Sequence, residues 1–151
     1  MENSKFEERS EKNSKSKTQN SKEAQNSKPE SSKVYDLDER TEQFAKRVRE
    51  FVKTIPRTTA NFEDSKQLIR ASGSTAANYL EAQEAISPKD CLHRMKICRK
   101  EVREALLWLK LIDHGTNPEV IKEHKALIQE ALELARIFGA IVRNMGNKSK
   151  R

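Results

Sequence analysis

Two clusters hold residue types that could do chemistry. At Ser72-Gly73-Ser74-Thr75, hydroxyls flank a glycine, as in a phosphate-cradling loop or in the turn that presents a serine nucleophile. Further along, Cys91, His93 and Cys98 are possible metal ligands, and Glu101 with Glu104 forms a carboxylate pair. A serine nucleophile needs a base and donors for the oxyanion. The chain has three histidines; His124 falls on an apolar seam and His114 at a helix end, so neither is placed to serve Ser72 or Ser74. A phosphate loop needs a preceding strand and a Gly-Lys-Ser/Thr ending, and neither is present. Cys91 and His93 are two positions apart and would leave a helix in different directions. Cys91 and Cys98 would have Cα atoms roughly 10 Å apart along a helix, beyond the reach of a disulfide. Buried free thiols are the expectation. The paired Glu-x-x-His pattern of a di-iron bundle is absent. Glu101 and Glu104 read as partners of Arg70 or Arg103 in a structural ion pair, since nothing in the sequence supplies a pocket that would perturb their protonation. The expectation is a protein that is not an enzyme, with no cofactor and no metal.

The elements that position these residues are helices. Beyond the N-terminal segment the chain has four glycines and three prolines, and each proline separates periodic segments instead of interrupting one. Leu37, Phe44, Val48, Phe51 and Ile55 give one face to a helix over 36–55, stopped by Pro56. A second helix over 61–85 would be capped by Asn61 with Asp64 three residues later. Its face is expected to be Ile69, Gly73, Ala76 and Leu80, with Leu68, Ser72, Thr75 and Tyr79 beside them, small residues that let two helix backbones approach. The hydroxyls of Ser72, Ser74 and Thr75 can return to carbonyls of the preceding turn, and close packing would offset the ~1 kcal/mol cost of glycine in a helix. The third helix, 88–114, opens at Ser87-Pro88-Lys89-Asp90, a cap with proline in the first turn and an acid to answer it. Its seam is Cys91, Met95, Cys98, Val102, Ala105, Leu109 and Ile112, ended by Gly115. The fourth, 117–145, opens at Asn117-Pro118 and continues through Val120, His124, Leu127, Ala131, Leu134, Phe138, Ile141 and Met145 to Gly146. No strand is indicated. Helices of matched length with short connections predict an all-α fold, an antiparallel up-down-up-down four-helix bundle with a disordered N-terminal tail.

That tail is residues 1–33, almost entirely Ser, Lys, Glu, Asn and Gln, with Met1, Phe6 and Ala24 the apolar residues besides Pro29. It cannot bury enough surface to offset the entropy of ordering. The bundle then occupies 34–146, and 147–151 form a short basic tail. No stretch is apolar for long enough to span a bilayer or to act as a signal peptide, so no membrane role and a cytoplasmic location are expected.

The run Gln67-Leu68-Ile69-Arg70-Ala71-Ser72-Gly73-Ser74-Thr75-Ala76-Ala77-Asn78-Tyr79-Leu80-Glu81-Ala82, then Ser87-Pro88-Lys89-Asp90, then Glu101, Glu104, Trp108 and Leu109, resembles the 23S rRNA intervening-sequence proteins, the S23 family. The resemblance covers about residues 36–146. It implies a four-helix bundle encoded within insertions in bacterial large-subunit rRNA genes or elsewhere in bacterial genomes, often a homo-oligomeric ring and commonly a pentamer, in a family whose molecular function is poorly defined. Gln67, Arg70, Gly73, Asn78, Glu81, Glu101 and Glu104 carry the family motif in structural roles. A similar bundle is the accessory protein of diversity-generating retroelements, working with a reverse transcriptase and RNA, so a nucleic acid or a protein of that kind is a partner to consider by analogy. The leading tail departs from the compact family pattern.

The surface can be read independently of that resemblance. Thirty Lys and Arg against 23 Asp and Glu leave a net charge of +7, which favours an acidic partner. Lys89, Lys96, Arg103 and Lys110 recur every seven residues and line one stripe of the third helix about 30 Å long, with Arg99 and Lys100 beside it. RNA or DNA phosphates could follow such a stripe without reading sequence; aromatics are only 5% of the chain, too few for base stacking to dominate. Between Ala105 and Ile112 apolar residues circle the helix, more than one core can cover, which predicts subunit contacts at Leu107, Trp108 and Leu111. The expectation is an oligomeric bundle that associates with nucleic acid, or alternatively an adaptor that binds another protein.

Overall fold

The computed structural model of the chain describes residues 36–148. The expected polar tail over 1–33 lies outside the described residues. Four helices follow in order: α1 (Leu37–Phe51), α2 (Thr59–Gln83), α3 (Pro88–Leu111) and α4 (Pro118–Lys148). No strand occurs among the described residues.

Each start follows from local chemistry, though not always from the expected residue. The Asp36 carboxylate accepts from Glu39 N at the head of α1. At the head of α2 the cap is Thr58, whose hydroxyl accepts from Asn61 N, so the expectation of an Asn61 cap is corrected. Ser87 caps α3 by accepting from Asp90 N, with Pro88 in the first turn. The answering bond from the Asp90 side chain is not made; that carboxylate lies 3.9 Å from Arg94 Nε instead. Asn117 Oδ1 accepts from Glu119 N at the start of α4.

The ends also differ from a reading of breakers alone. α1 stops at Phe51, short of Ile55, because a residue before proline is pushed out of helical geometry and the intervening residues close into turns. Ile55 still reaches the core from that turn. α3 ends at Leu111, and Gly115 takes φ +69° in the connection that follows, packed on Pro56. α4 continues through Gly146 to Lys148, so the first residues of the expected C-terminal tail are helical.

Cross-links between helices define the topology. Asn61 at the start of α2 bonds Asp113 just past α3, the Thr75 carbonyl meets Cys98 midway, and Glu81 near the end of α2 pairs with Arg94 near the start of α3. Arg40 and Arg47 meet Glu130 and Glu123 in reversed order, and Leu109 meets His124 while Arg99 lies beside Gly139. Sequence neighbours therefore run antiparallel, and α1 closes the ring by packing on α4. Phe44, Val48, Leu68, Val102, Leu109, Leu127, Leu134 and Phe138 fill the core with less than 2% exposure.

The seams expected on α3 and α4 are the observed ones, with Cys91, Ile141 and Met145 packed at the margin of the core. The expected face of α2 is corrected. Its buried residues are Asn61, Leu68, Ala71, Ser72, Thr75 and Ala82, whereas Leu80 is 54% exposed and Gly73 only half-buried.

Candidate nucleic-acid interface

Three sides of α3 are taken by its neighbours, and one faces outward. Met95, Cys98, Val102, Ala105 and Leu109 face the core. Arg94, Glu101 and Glu104 lie toward α2, where they meet Glu81 and Arg70. Arg99 lies toward α4. What remains points outward: Lys89, Lys96, Lys100, Arg103 and Lys110 are all exposed, and Arg99 is half-buried. None of these six cations forms an ion pair with a described residue. Lys96, Arg99, Lys100 and Arg103, together with Glu104 and Leu107, line a shallow open depression on this face.

The opposite seam treats its arginines differently. Arg40 Nε donates to Glu130 Oε1 at 2.6 Å and its Nη2 to Glu130 Oε2 at 3.0 Å, and it reaches Glu133 as well. Arg47 makes the same fork with Glu123 at 2.8 and 3.1 Å. The hydrogen bond to Glu130 holds the Arg40 guanidinium above its ordinary pKa, and bonds from Gln129 and then Arg40 hold Glu133 below the usual carboxylate range.

The motif residues of α2 do internal work. Ser72 Oγ donates to Ile69 O at 3.1 Å and Thr75 Oγ1 to Ala71 O at 2.9 Å, while Ser74 Oγ accepts from the Asn78 amide at 3.2 Å. Asn78 also donates to the Ser74 carbonyl, and its own Oδ1 faces Arg94 at 3.4 Å. A methyl group at residue 73 would lie 3.2 Å from an Arg49 nitrogen, so Gly73 admits a guanidinium from α1, not a close helix backbone. Arg70 bridges Glu104 and Glu101, with Gln67 accepting from its Nε. Glu101 is buried, and its Oε2 has no hydrogen-bond partner among the described residues. Cys98 is fully buried and donates to Thr75 O, and burial pushes its thiol up to about 12. Cys91 is half-buried and also free. Among the described residues no cluster of His, Cys, Asp and Glu is arranged to hold a metal.

Of the three expected contact residues, Leu107 and Leu111 are 49% and 56% exposed. Trp108 is half-buried against the core, with its indole N–H 3.4 Å from Glu104 Oε1. The structure also joins groups that sequence spacing does not connect. Asn61 donates to Pro56 O and Asp113 O and accepts from Asp113 N, all within 2.8–3.0 Å, tying the two connections at that end together. His124 is bonded to Leu109 O, stacks on Phe51 and has its ring centroid 4.8 Å from that of His114. Only the capping habit of asparagine marked Asn61 in sequence, and it pointed to the wrong bond.

Geometry of this kind defines a helical bundle with a cationic outer face. The 23S rRNA-intervening sequence protein family matches residues 30–140, and the chain belongs to that family. It is also similar to the crystal structure of a protein of unknown function from the S23 ribosomal protein family of Bacteroides thetaiotaomicron VPI-5482. The two are 25% identical with a TM-score of 0.61, over 70% of this chain and 97% of the other. No curated protein matches the chain. No described helix is long and apolar enough to cross a membrane.

Proposed function

We propose that the protein is a non-enzymatic, oligomeric bundle that holds a nucleic-acid backbone, RNA first, along the outer face of α3. One observation carries this reading: Lys89, Lys96, Arg99, Lys100, Arg103 and Lys110 share that side of the helix without an acidic partner. Cations already paired with glutamate must give up that partner to bind phosphate. These six need not, so neutralising a phosphate releases its counterions at little cost to the fold. The family name refers to 23S rRNA sequence, which makes RNA the first polyanion to test. Binding of this sort follows the backbone and does not discriminate bases.

Leu107 and Leu111 support the oligomeric part of the proposal. They sit toward the C-terminal end of the same outer face, where a second copy that covers them leaves the N-terminal end of the stripe at Lys89 open. A ring, the pentamer that the family resemblance suggests, would repeat the cationic stripe and raise avidity. The purified assembly is expected to retain RNA at low salt and release it steeply as salt rises, with a mass that is a multiple of the chain. Failure to bind RNA at low salt would overturn the nucleic-acid reading. The same apolar end favours a second reading, an adaptor whose protein partner docks on Leu107 and Leu111; capture of a defined partner that survives nuclease and is lost in Leu107→Ser would support it instead.

A further inference from the structure

The junction of α3 and α4 carries a charge feature that shares Arg99 with the outward stripe and adds a cation from α4. A methyl group on Gly139 would lie 3.4 Å from Arg143 Nη1 and 3.9 Å from Arg99 Nε. Two guanidiniums, one from each helix, therefore converge on the same buried turn of α4. Neither forms an ion pair with a described residue. A methyl group there would meet both at ordinary contact distance, so the two guanidiniums rest against the same stretch of α4 beside Gly139. Arg49 lies over Gly73 more tightly, 3.2 Å from where a methyl group would be.

Like charges drawn to one point repel unless an anion lies between them. A phosphate group is an anion that two guanidiniums can share. Its oxygens accept from guanidinium donors at about 2.7–2.9 Å, and a tetrahedral group can take one planar fork on each side. Lys96 and Arg103 lie one helical turn before and after Arg99 and extend the positive surface along α3 in both directions.

We propose that Arg99 and Arg143, closed over Gly139, form a phosphate clamp that holds one phosphodiester of an RNA backbone in the groove between α3 and α4. This rests on the nucleic-acid reading and adds to it a fixed point on the backbone. Lysines on the stripe attract phosphates wherever they fall, whereas the clamp sets the register of the strand on the bundle. Its specificity is for the shape of the phosphate group and not for base identity.

The test separates charge from geometry. Binding of a short fluorescein-labelled single-stranded RNA of mixed sequence is measured by anisotropy for the full chain, for Arg99→Lys/Arg143→Lys, which keeps both charges, and for Lys89→Gln/Lys110→Gln, which removes two. Calorimetry with inorganic pyrophosphate is run in parallel. A clamp predicts that the charge-conserving pair weakens RNA binding by about tenfold or more, since lysine lacks the planar fork. It also predicts that pyrophosphate binding is lost in that pair and kept in Lys89→Gln/Lys110→Gln. RNA affinity within about twofold of wild type in Arg99→Lys/Arg143→Lys, at a salt where the wild type binds, overturns the clamp and leaves the stripe standing. If the wild type binds no RNA but does bind pyrophosphate, and the pair abolishes it, the nucleic-acid reading falls and the site is one for small phosphates. If it binds neither, both fall. Arg143→Lys alone, at an exposed position, serves if the double variant melts early.

Discussion

Arg40 and Arg103 are the same residue type on helices of the same bundle, and their surroundings give them opposite uses. On the α1–α4 seam, Glu123 and Glu130 accept two-pronged hydrogen bonds from Arg47 and Arg40, and Glu133 accepts one more from Arg40. On the outer face of α3 the positions beside Lys96, Lys100 and Arg103 carry Arg99, Leu107 and Glu104, and the Glu104 carboxylate is paired with Arg70 and forms no ion pair with them. A pair bound in a fork has spent its charge on the fold. An unpartnered one keeps a long-range field. The excess of +7 therefore matters less as a total than for where it is left uncompensated.

If that contrast is correct, Lys96→Glu/Lys100→Glu/Arg103→Glu should give the largest effect. RNA affinity near physiological salt is expected to fall on the order of a hundredfold or more, while thermal stability changes little, as read by anisotropy and a melting curve. An equal loss from substitutions at Arg40 and Arg47 would erase the distinction. Arg40→Met is expected to act on the other quantity. It strands Glu130 and Glu133 beside each other in a partly buried setting and should cost about 1–2 kcal/mol of unfolding free energy in urea, with RNA binding unchanged.

Acid should produce a smaller change in the same seam. Glu133 titrates below the usual carboxylate range in the fold because Gln129 and Arg40 hold its charged form. Its contribution is then present above the unfolded carboxylate pKa and lost as pH falls through the lower folded value. Stability of the wild type should therefore drop more between neutral pH and pH ~3 than that of Glu133→Gln, compared by urea midpoints. The least perturbing probe is a thiol reagent on α3. Cys98, buried with its thiol pushed up to about 12, should resist iodoacetamide in the native protein while half-buried Cys91 reacts first, read by peptide mass after a timed quench.

How far the sequence could be read depended on where each signal resides. The seams of α3 and α4 were legible because bulky apolar residues repeat at steps of three and four over many turns, and only burial keeps such a pattern. α2 was misread because its marker residues are small: Gly73 and Ala76 give almost no hydrophobic signal, so the phase of the buried face is set by Ala71, Ser72 and Thr75 instead. Asn61 looked like a cap for a sound local reason, but its amide is satisfied by Asp113, 52 positions away, and no local pattern carries that bond. The cationic stripe was visible as a heptad repeat. That it lacks acidic partners was not, since this depends on what α2 and α4 place beside it. Arg143 went unmarked for the same reason: it shares Gly139 with Arg99 only through the pairing of two helices.

The hydrogen bonds of Asn61 also bear on which changes of length the chain can tolerate. Because one side chain satisfies backbone groups of both the α1–α2 and the α3–α4 connection, inserting or deleting a residue in either moves a donor or an acceptor that the other relies on. The α2–α3 connection at the far end has no such tie among the described residues and leaves Ile86 96% exposed. A foreign peptide, epitope or fluorescent label should be accommodated between Glu84 and Ser87, and residues 56–61 and 112–115 should keep their number across relatives that differ freely in composition.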